Sequence, residues 1–207
     1  MSHLRFCIAM ATALAIGLPS LRSTLAMEKN MKSSELISML HSDGPAPELA
    51  DELRLYGQFV GDWNMDIVTY SSDGTRHQGQ GEIHFGWALN GRAIQDVWMV
   101  PRLKDRRPDS PQMPVVGNFF GTTVRIYDTN IKGWRIYWLD PATNTYYQQI
   151  GRKEGPDIIQ QGIAENGDFT RWSFTEIEAD SFHWKGEVST DKGGTWHLFV
   201  EIFARRT

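Results

Sequence analysis

Four side chains in the middle of this sequence carry chemistry at a spacing that an extended chain would use. Glu82 and His84 lie two positions apart, and so do Asp96 and Trp98. That spacing puts each pair on one face of a β-strand. A carboxylate or imidazole facing an apolar pocket is the minimum that general acid–base catalysis needs. Other chemistries lack their residues. There is no G-x-S-x-G turn to present a nucleophilic serine, no glycine-rich phosphate loop, and one cysteine, Cys7. Beyond residue 26 the histidines are His41, His77, His84, His183 and His197, and none pair at H-x-H, H-x-x-x-H or H-E-x-x-H spacing. A local zinc signature is therefore missing, and no metal site or cofactor is expected.

A binding site has better candidates. Small-molecule pockets are mostly apolar, with a few polar groups that orient the ligand. Here the polar candidates are Gln95, Asp96, Arg125, Gln149 and Arg171, and the aromatic ones are Trp87, Trp98, Trp138 and Trp184. All eight tryptophans fall between Trp63 and Trp196. Aromatic residues suit pleated, half-buried surfaces, so the same residues point to sheet. The net charge is −4, with no stretch of clustered Lys or Arg among aromatics. That excludes nucleic acid as a partner.

The elements that must position these residues follow from periodicity. From Asp62 onward apolar residues alternate with period two, and turn residues separate the runs. Strands are predicted near 62–70, 77–89, 92–100, 117–128, 133–140, 144–151, 157–164, 168–177, 181–189 and 195–205. Asn90-Gly91 and Asn166-Gly167 are strong short-hairpin signals. No helical period separates the runs, which argues against parallel crossovers. The expected fold is mainly β: an antiparallel up-and-down β-barrel of about eight to ten strands with short N-terminal helices. Both parities of several strands carry apolar bulk. Trp196, Leu198, Val200 and Ile202 are expected on one face of the last strand, with Phe199 and Phe203 on the other. A filled interior with covered outer patches would explain this, and so would a self-associating outer face that makes a homodimer.

Three segments are appended to that pattern. Residues 1–26 read as a signal peptide, with Arg5 before the apolar run Phe6–Pro19 and a small-x-small site at Thr24-Leu25-Ala26. The run is too short to span a bilayer. Export to the periplasm or beyond is expected; a translation start at Met27 would instead leave the protein in the cytoplasm. Residues 27–58 form an N-terminal helical segment and 59–207 the barrel domain. Within that segment, helices are expected over 33–41 and from Pro47 to about Phe59, the second with Leu49, Leu53 and Tyr56 as one apolar stripe. The proline-rich stretch Pro101–Pro114 is too long for a tight hairpin. It is either a lid or a solvated loop.

Gly61-Asp62-Trp63, placed after a helix and opening the first strand, resembles the Gly-x-Trp start of lipocalin-like barrels. The resemblance implies that Trp63 packs across the closed end beneath a basic residue of the last strand, Arg205 or Arg206. Gly91-Arg92-Ala93 with Asp96-Val97-Trp98, Arg125-Ile126-Tyr127-Asp128, Trp134-Arg135 with Trp138, and Arg171-Trp172 with Phe174 are similar to a bacterial lipocalin-like, or calycin-like, family of unknown function. That likeness covers about Phe59 to Arg206 and implies a fold without an activity. Ser189-x-Asp191-x-Gly193-Gly194-Thr195-Trp196 matches the Asp-box hairpin of sialidase-like propellers. One copy reads as turn structure, with Asp191 accepting turn amides and Trp196 anchoring the hairpin in the core. His197 lies where nitrobindin-type haem barrels place a ligand, but its neighbours do not resemble that motif.

The leading expectation is a protein that binds a small, mostly apolar molecule. The alternatives are a barrel enzyme (a cyclase, isomerase or hydrolase) and a non-catalytic interaction protein.

Overall fold

The computed structural model describes residues 35–106 and 119–207. The expected signal peptide and most of the proline-rich stretch lie outside the described residues. Residues Met39–Thr207 form one compact unit. Period-two alternation becomes ten long antiparallel strands: β2 (Gly61–Tyr70), β3 (Arg76–Ala88), β4 (Ala93–Val100), β5 (Phe119–Asp128), β6 (Gly133–Asp140), β7 (Thr145–Glu154), β8 (Asp157–Ile163), β9 (Phe169–Thr175), β10 (Ser181–Ser189) and β11 (His197–Arg206). A two-residue strand, β1 (His41–Ser42), adds to the end of β3. Each long strand pairs with the next in sequence, and β11 pairs with β2, which closes the barrel. Closure removes every long sheet edge.

Helices occur where the apolar stripe predicted them. Residues 35–40 are helical. Pro47–Leu49 forms a 3-10 turn that leads into helix α1 (Ala50–Gly57). Proline suits this first turn because its missing N–H has no intrahelical partner to lose. Leu53 and Tyr56 are fully buried and Leu49 packs beside them, so the stripe seats against the barrel interior. A Cβ on Gly57 would lie 2.6 Å from the Trp87 ring. The absence of a side chain there is what lets β3 and α1 meet.

The Gly-x-Trp opening does what the resemblance implied, with Arg206 as the basic residue. Its guanidinium lies 4.1 Å from the Trp63 ring centroid. It also donates to the carbonyls of Val60, Gln58 and Ala179 at 2.8, 2.8 and 3.1 Å. Trp63 Nε1 in turn donates to the Phe59 carbonyl at 2.7 Å. Gly61 has φ +127°, and a Cβ there would stand 2.7 Å from Arg206 Nη1. One cation thus ties the helix exit, the first strand and the last strand together. Phe59, Trp63, Phe85, Phe174 and Phe182 pack around this closed end, with Phe59–Phe174 and Trp63–Phe182 centroids 4.7 and 4.8 Å apart.

One strand departs from strict alternation. The β10–β11 register shifts between Gly186, which faces Val200, and Glu187, which faces Leu198. Phe199 is the extra residue of this bulge. A one-residue bulge flips every side chain beyond it to the other face. Trp196 therefore does not anchor its hairpin in the core. It lies under the Arg171 guanidinium, 4.1 Å from its ring centroid, on the outer face. Leu198 leaves the inner face with it, while Val200 and Ile202 remain buried inside.

Arg206→Ala should lower the unfolding free energy by about 2–4 kcal/mol, the combined worth of charge-assisted hydrogen bonds and a cation–π contact. Arg205→Ala, which removes only an exposed pair with Asp66, should cost under about 1 kcal/mol. Urea unfolding of the two variants checks the contrast.

Candidate functional site

The half of the barrel away from α1 is not filled. A cavity of about 370 Å³ opens there. Its wall is aromatic: Trp98 from β4, Phe119 from β5, Trp138 from β6, Tyr147 from β7, Trp172 from β9 and Trp184 from β10. The rings meet mostly edge-on or tilted, with Trp98–Trp184 and Trp172–Trp184 centroids 5.5 and 5.6 Å apart and Tyr147–Trp172 at 5.3 Å. Such offsets are the favoured geometry of aromatic pairs. Gly121 leaves room for the Trp138 indole, 2.4 Å from where a Cβ would stand, and Gly186 leaves room for Val200 and Phe199, 2.6 and 2.9 Å from its would-be Cβ. Ile67, Val200, Ile202 and Thr69 complete the wall from β2 and β11, and the bulge turns Phe199 toward it.

Arg125 forms the inner limit of the cavity. Arg125 and Asp96 are each 1% exposed. Arg125 Nη1 donates to Asp96 Oδ2, and Asp96 Oδ1 accepts the Thr123 backbone N–H at 2.9 Å. The guanidinium also faces the rings of Tyr56, Phe85 and Phe174 at 5.1, 5.6 and 5.8 Å. Arg125 thus belongs to both halves of the interior, with the packed aromatics on one side and the cavity on the other. Two further buried amides share this polar belt. Gln149 donates to Thr170 Oγ1 at 3.0 Å, and Gln160 on β8 is fully buried.

The structure brings Trp98, Arg125, Trp138 and Trp184 together on the cavity wall. Asp96 stands behind Arg125 as its partner, and Gln149 is buried in the interior beside Thr170. Trp87 lies at the other end of the barrel, against α1. Gln95 and Arg171 face outward. Gln95 donates to Thr122 Oγ1, and Arg171 forms a bidentate pair with Glu187 at 2.7 and 2.9 Å. The acid–base candidates Glu82 and His84 share the outer face: Glu82 accepts the Leu103 N–H, and His84 pairs with Asp62 at 2.7 Å. Sequence reasoning passed over Thr69, Phe119, Tyr147 and Trp172. Tyr147 and Trp172 carried a usable signal, since each lies two residues from another inward side chain, Gln149 and Thr170 respectively.

The carboxylates near the cavity are occupied. Asp140 Oδ1 accepts the turn amides of Ala142 and Thr143 at 2.8 and 3.3 Å. Burial raises the Tyr147 hydroxyl above its ordinary pKa, and the hydrogen bond to Glu201 raises that of Tyr70. At the core, burial pushes Tyr56 further up still, against the opposing pull of Arg125. On the outer face, His183 stacks on Phe203 with centroids 4.3 Å apart and its Nε2 is 3.1 Å from Glu201. Asp191 is held well below the usual carboxylate range by hydrogen bonds from Ser189 and Thr195, as a turn-forming residue would be. Among the described residues, no group of three or more His, Cys, Asp or Glu is placed to hold a metal ion. None of the described helices is long and apolar enough to cross a membrane.

The buried pair makes a specific demand on stability. Asp96→Leu leaves an unpaired buried guanidinium and should cost about 3–5 kcal/mol. Adding Arg125→Met to it should recover part of that loss, because the double variant strands no charge. Chemical denaturation of both variants tests this.

No family model matches the chain, and no curated protein matches it. Among solved structures, the chain is similar to Rv2717c from M. tuberculosis, with 12% identity and a TM-score of 0.50, covering 79% of this chain and 99% of that one. It is also similar to the S-type phycobiliprotein lyase CPES from Guillardia theta, at 10% identity and a TM-score of 0.48, covering 74% and 91%. What the likeness to Rv2717c carries is the fold alone, a closed ten-strand antiparallel barrel.

Proposed function

We propose that this protein binds a small, mostly apolar molecule inside the open half of its barrel. The observation that carries this reading is the aromatic cavity of about 370 Å³, closed at its inner limit by Arg125. Its size lies within the usual range for small-molecule sites, and its lining is apolar with a few polar groups. Eight aromatic rings held around a gap forgo contacts that a filled core would make, a cost that binding offsets. The carboxylates nearest the cavity, Asp96 and Asp140, are committed to Arg125 and to turn amides, which favours binding over acid–base catalysis. Membership of the bacterial calycin-like family and export through residues 1–26 are part of the same proposal. N-terminal sequencing of the purified protein tests the export.

N-phenyl-1-naphthylamine is a neutral fluorescent probe of suitable size. It should bind one per chain with a rise in emission. Thr69→Trp, which places an indole in the cavity, should weaken that binding at least tenfold while costing about 1–3 kcal/mol of stability through overpacking. A probe that does not bind the wild type would sink the reading, and so would one that binds the variant equally well.

A further inference from the structure

We infer that the polar head accepted by this cavity is a neutral carbonyl rather than a carboxylate. The inference rests on the binding reading above and adds the chemistry of the ligand. Two observations carry it. The first is a set of unpaired donors on residues of the cavity wall. Trp98 Nε1, Trp172 Nε1 and Arg125 Nε are buried with no hydrogen-bond partner among the described residues, and all three residues line the cavity. Buried donors are normally paired, because an unpaired one forfeits its hydration without replacement. Three of them around one cavity specify an acceptor. The indole N–H atoms are covered, so the rings must turn slightly to present them, and that turn is itself observable.

The second observation is the charge balance. Among the described residues, Arg125 and Asp140 are the only charged side chains on the cavity wall. Arg125 is already neutralised by Asp96, and Asp140 adds a negative charge. Asp96, Arg125 and Asp140 together carry one net negative charge. A carboxylate arriving here meets donors but no spare positive charge, and it gives up its hydration against a net negative wall. A ketone, amide, ester or quinone oxygen takes the same hydrogen bonds without that penalty. A purely hydrocarbon ligand leaves the donors as they were.

Three probes with one naphthalene body separate these cases: 2-acetylnaphthalene, 2-naphthoate and 2-ethylnaphthalene, titrated calorimetrically at pH 7.5. The ketone should bind about tenfold more tightly than the ethyl compound, although water holds the ketone more strongly. The naphthoate should bind at least tenfold more weakly than the ketone. In the Trp98→Phe/Trp172→Phe variant the preference for ketone over ethyl should fall to about threefold or less, whatever the absolute affinity of the ethyl compound. In wild type, the indole N–H proton resonances of Trp98 and Trp172 should move downfield with the ketone only. The wild-type ranking decides the matter even where the variant folds poorly. Any ranking in which the ketone is not tightest overturns the inference, including one in which N-phenyl-1-naphthylamine binds and no naphthalene does. Failure of N-phenyl-1-naphthylamine as well overturns the binding reading beneath it.

Discussion

A guanidinium in the middle of a barrel needs a counter-charge and a tolerant apolar shell, and Arg125 has both. Asp96 supplies the charge, two residues away from directly opposite on the neighbouring strand. Tyr56, Phe85 and Phe174 supply ring faces. Those rings stay in place only because α1 delivers Tyr56 into the barrel and Phe59 and Trp63 pack beneath it. The pair therefore depends on the closed end, and the closed end depends on Arg206 gripping three carbonyls. Two arginines, one at the end and one at the centre, set where packing stops and space begins.

Much of this was legible in the sequence because the barrel is written in simple alternation. Ten period-two runs became ten strands, and most boundaries shifted by no more than two residues. Gly61 and Trp63 were legible through the Gly-x-Trp resemblance, which left the basic partner open between Arg205 and Arg206. Which face of each strand turns inward was harder to read. Gln95 and Arg171 are amphipathic enough to suit either face, and their neighbours are apolar on both. Only register decides, and it puts Gln95 beside Thr122 and Arg171 beside Glu187 on the outside. The bulge at Phe199 was invisible for a different reason. An extra residue changes parity without changing composition, so Trp196 and Leu198 read as inward while lying outside.

The Asp96–Arg125 pairing illustrates a limit of another kind. Both residues were recognisable as candidates, and Asp96 shares its strand face with Trp98. That they meet follows from the β4–β5 register, which sets Asp96 against Thr123 and so brings Arg125 one inward step away. Registers are set by hairpin lengths and side-chain fit across the whole sheet. The β4–β5 connection contains the proline-rich stretch, whose length gives no tight-turn geometry to count from. The chemistry of the residues was thus plain before their partnership was.

The two halves of the interior answer to different requirements. Around Phe59 the rings stack and interlock, and the polar atoms of Trp63 and Arg206 all find carbonyls. Around the cavity the same residue types leave space between them, and the indole nitrogens of Trp98 and Trp172 find no partner among the described residues. Rings of similar size fill one half and line the other, so the cavity is not a consequence of too few large side chains. It follows from where the polar belt lies. Arg125 stands on the inner wall with Asp96, Gln149 and Gln160 buried in the same interior, and Gly121 on the neighbouring strand leaves the Trp138 indole room to lie back against the sheet. A belt of this kind cannot be packed over by aliphatic groups without stranding its polar atoms. The apolar wall above it therefore ends in polar groups, and a molecule entering from the open end meets hydrocarbon first and hydrogen-bonding groups last.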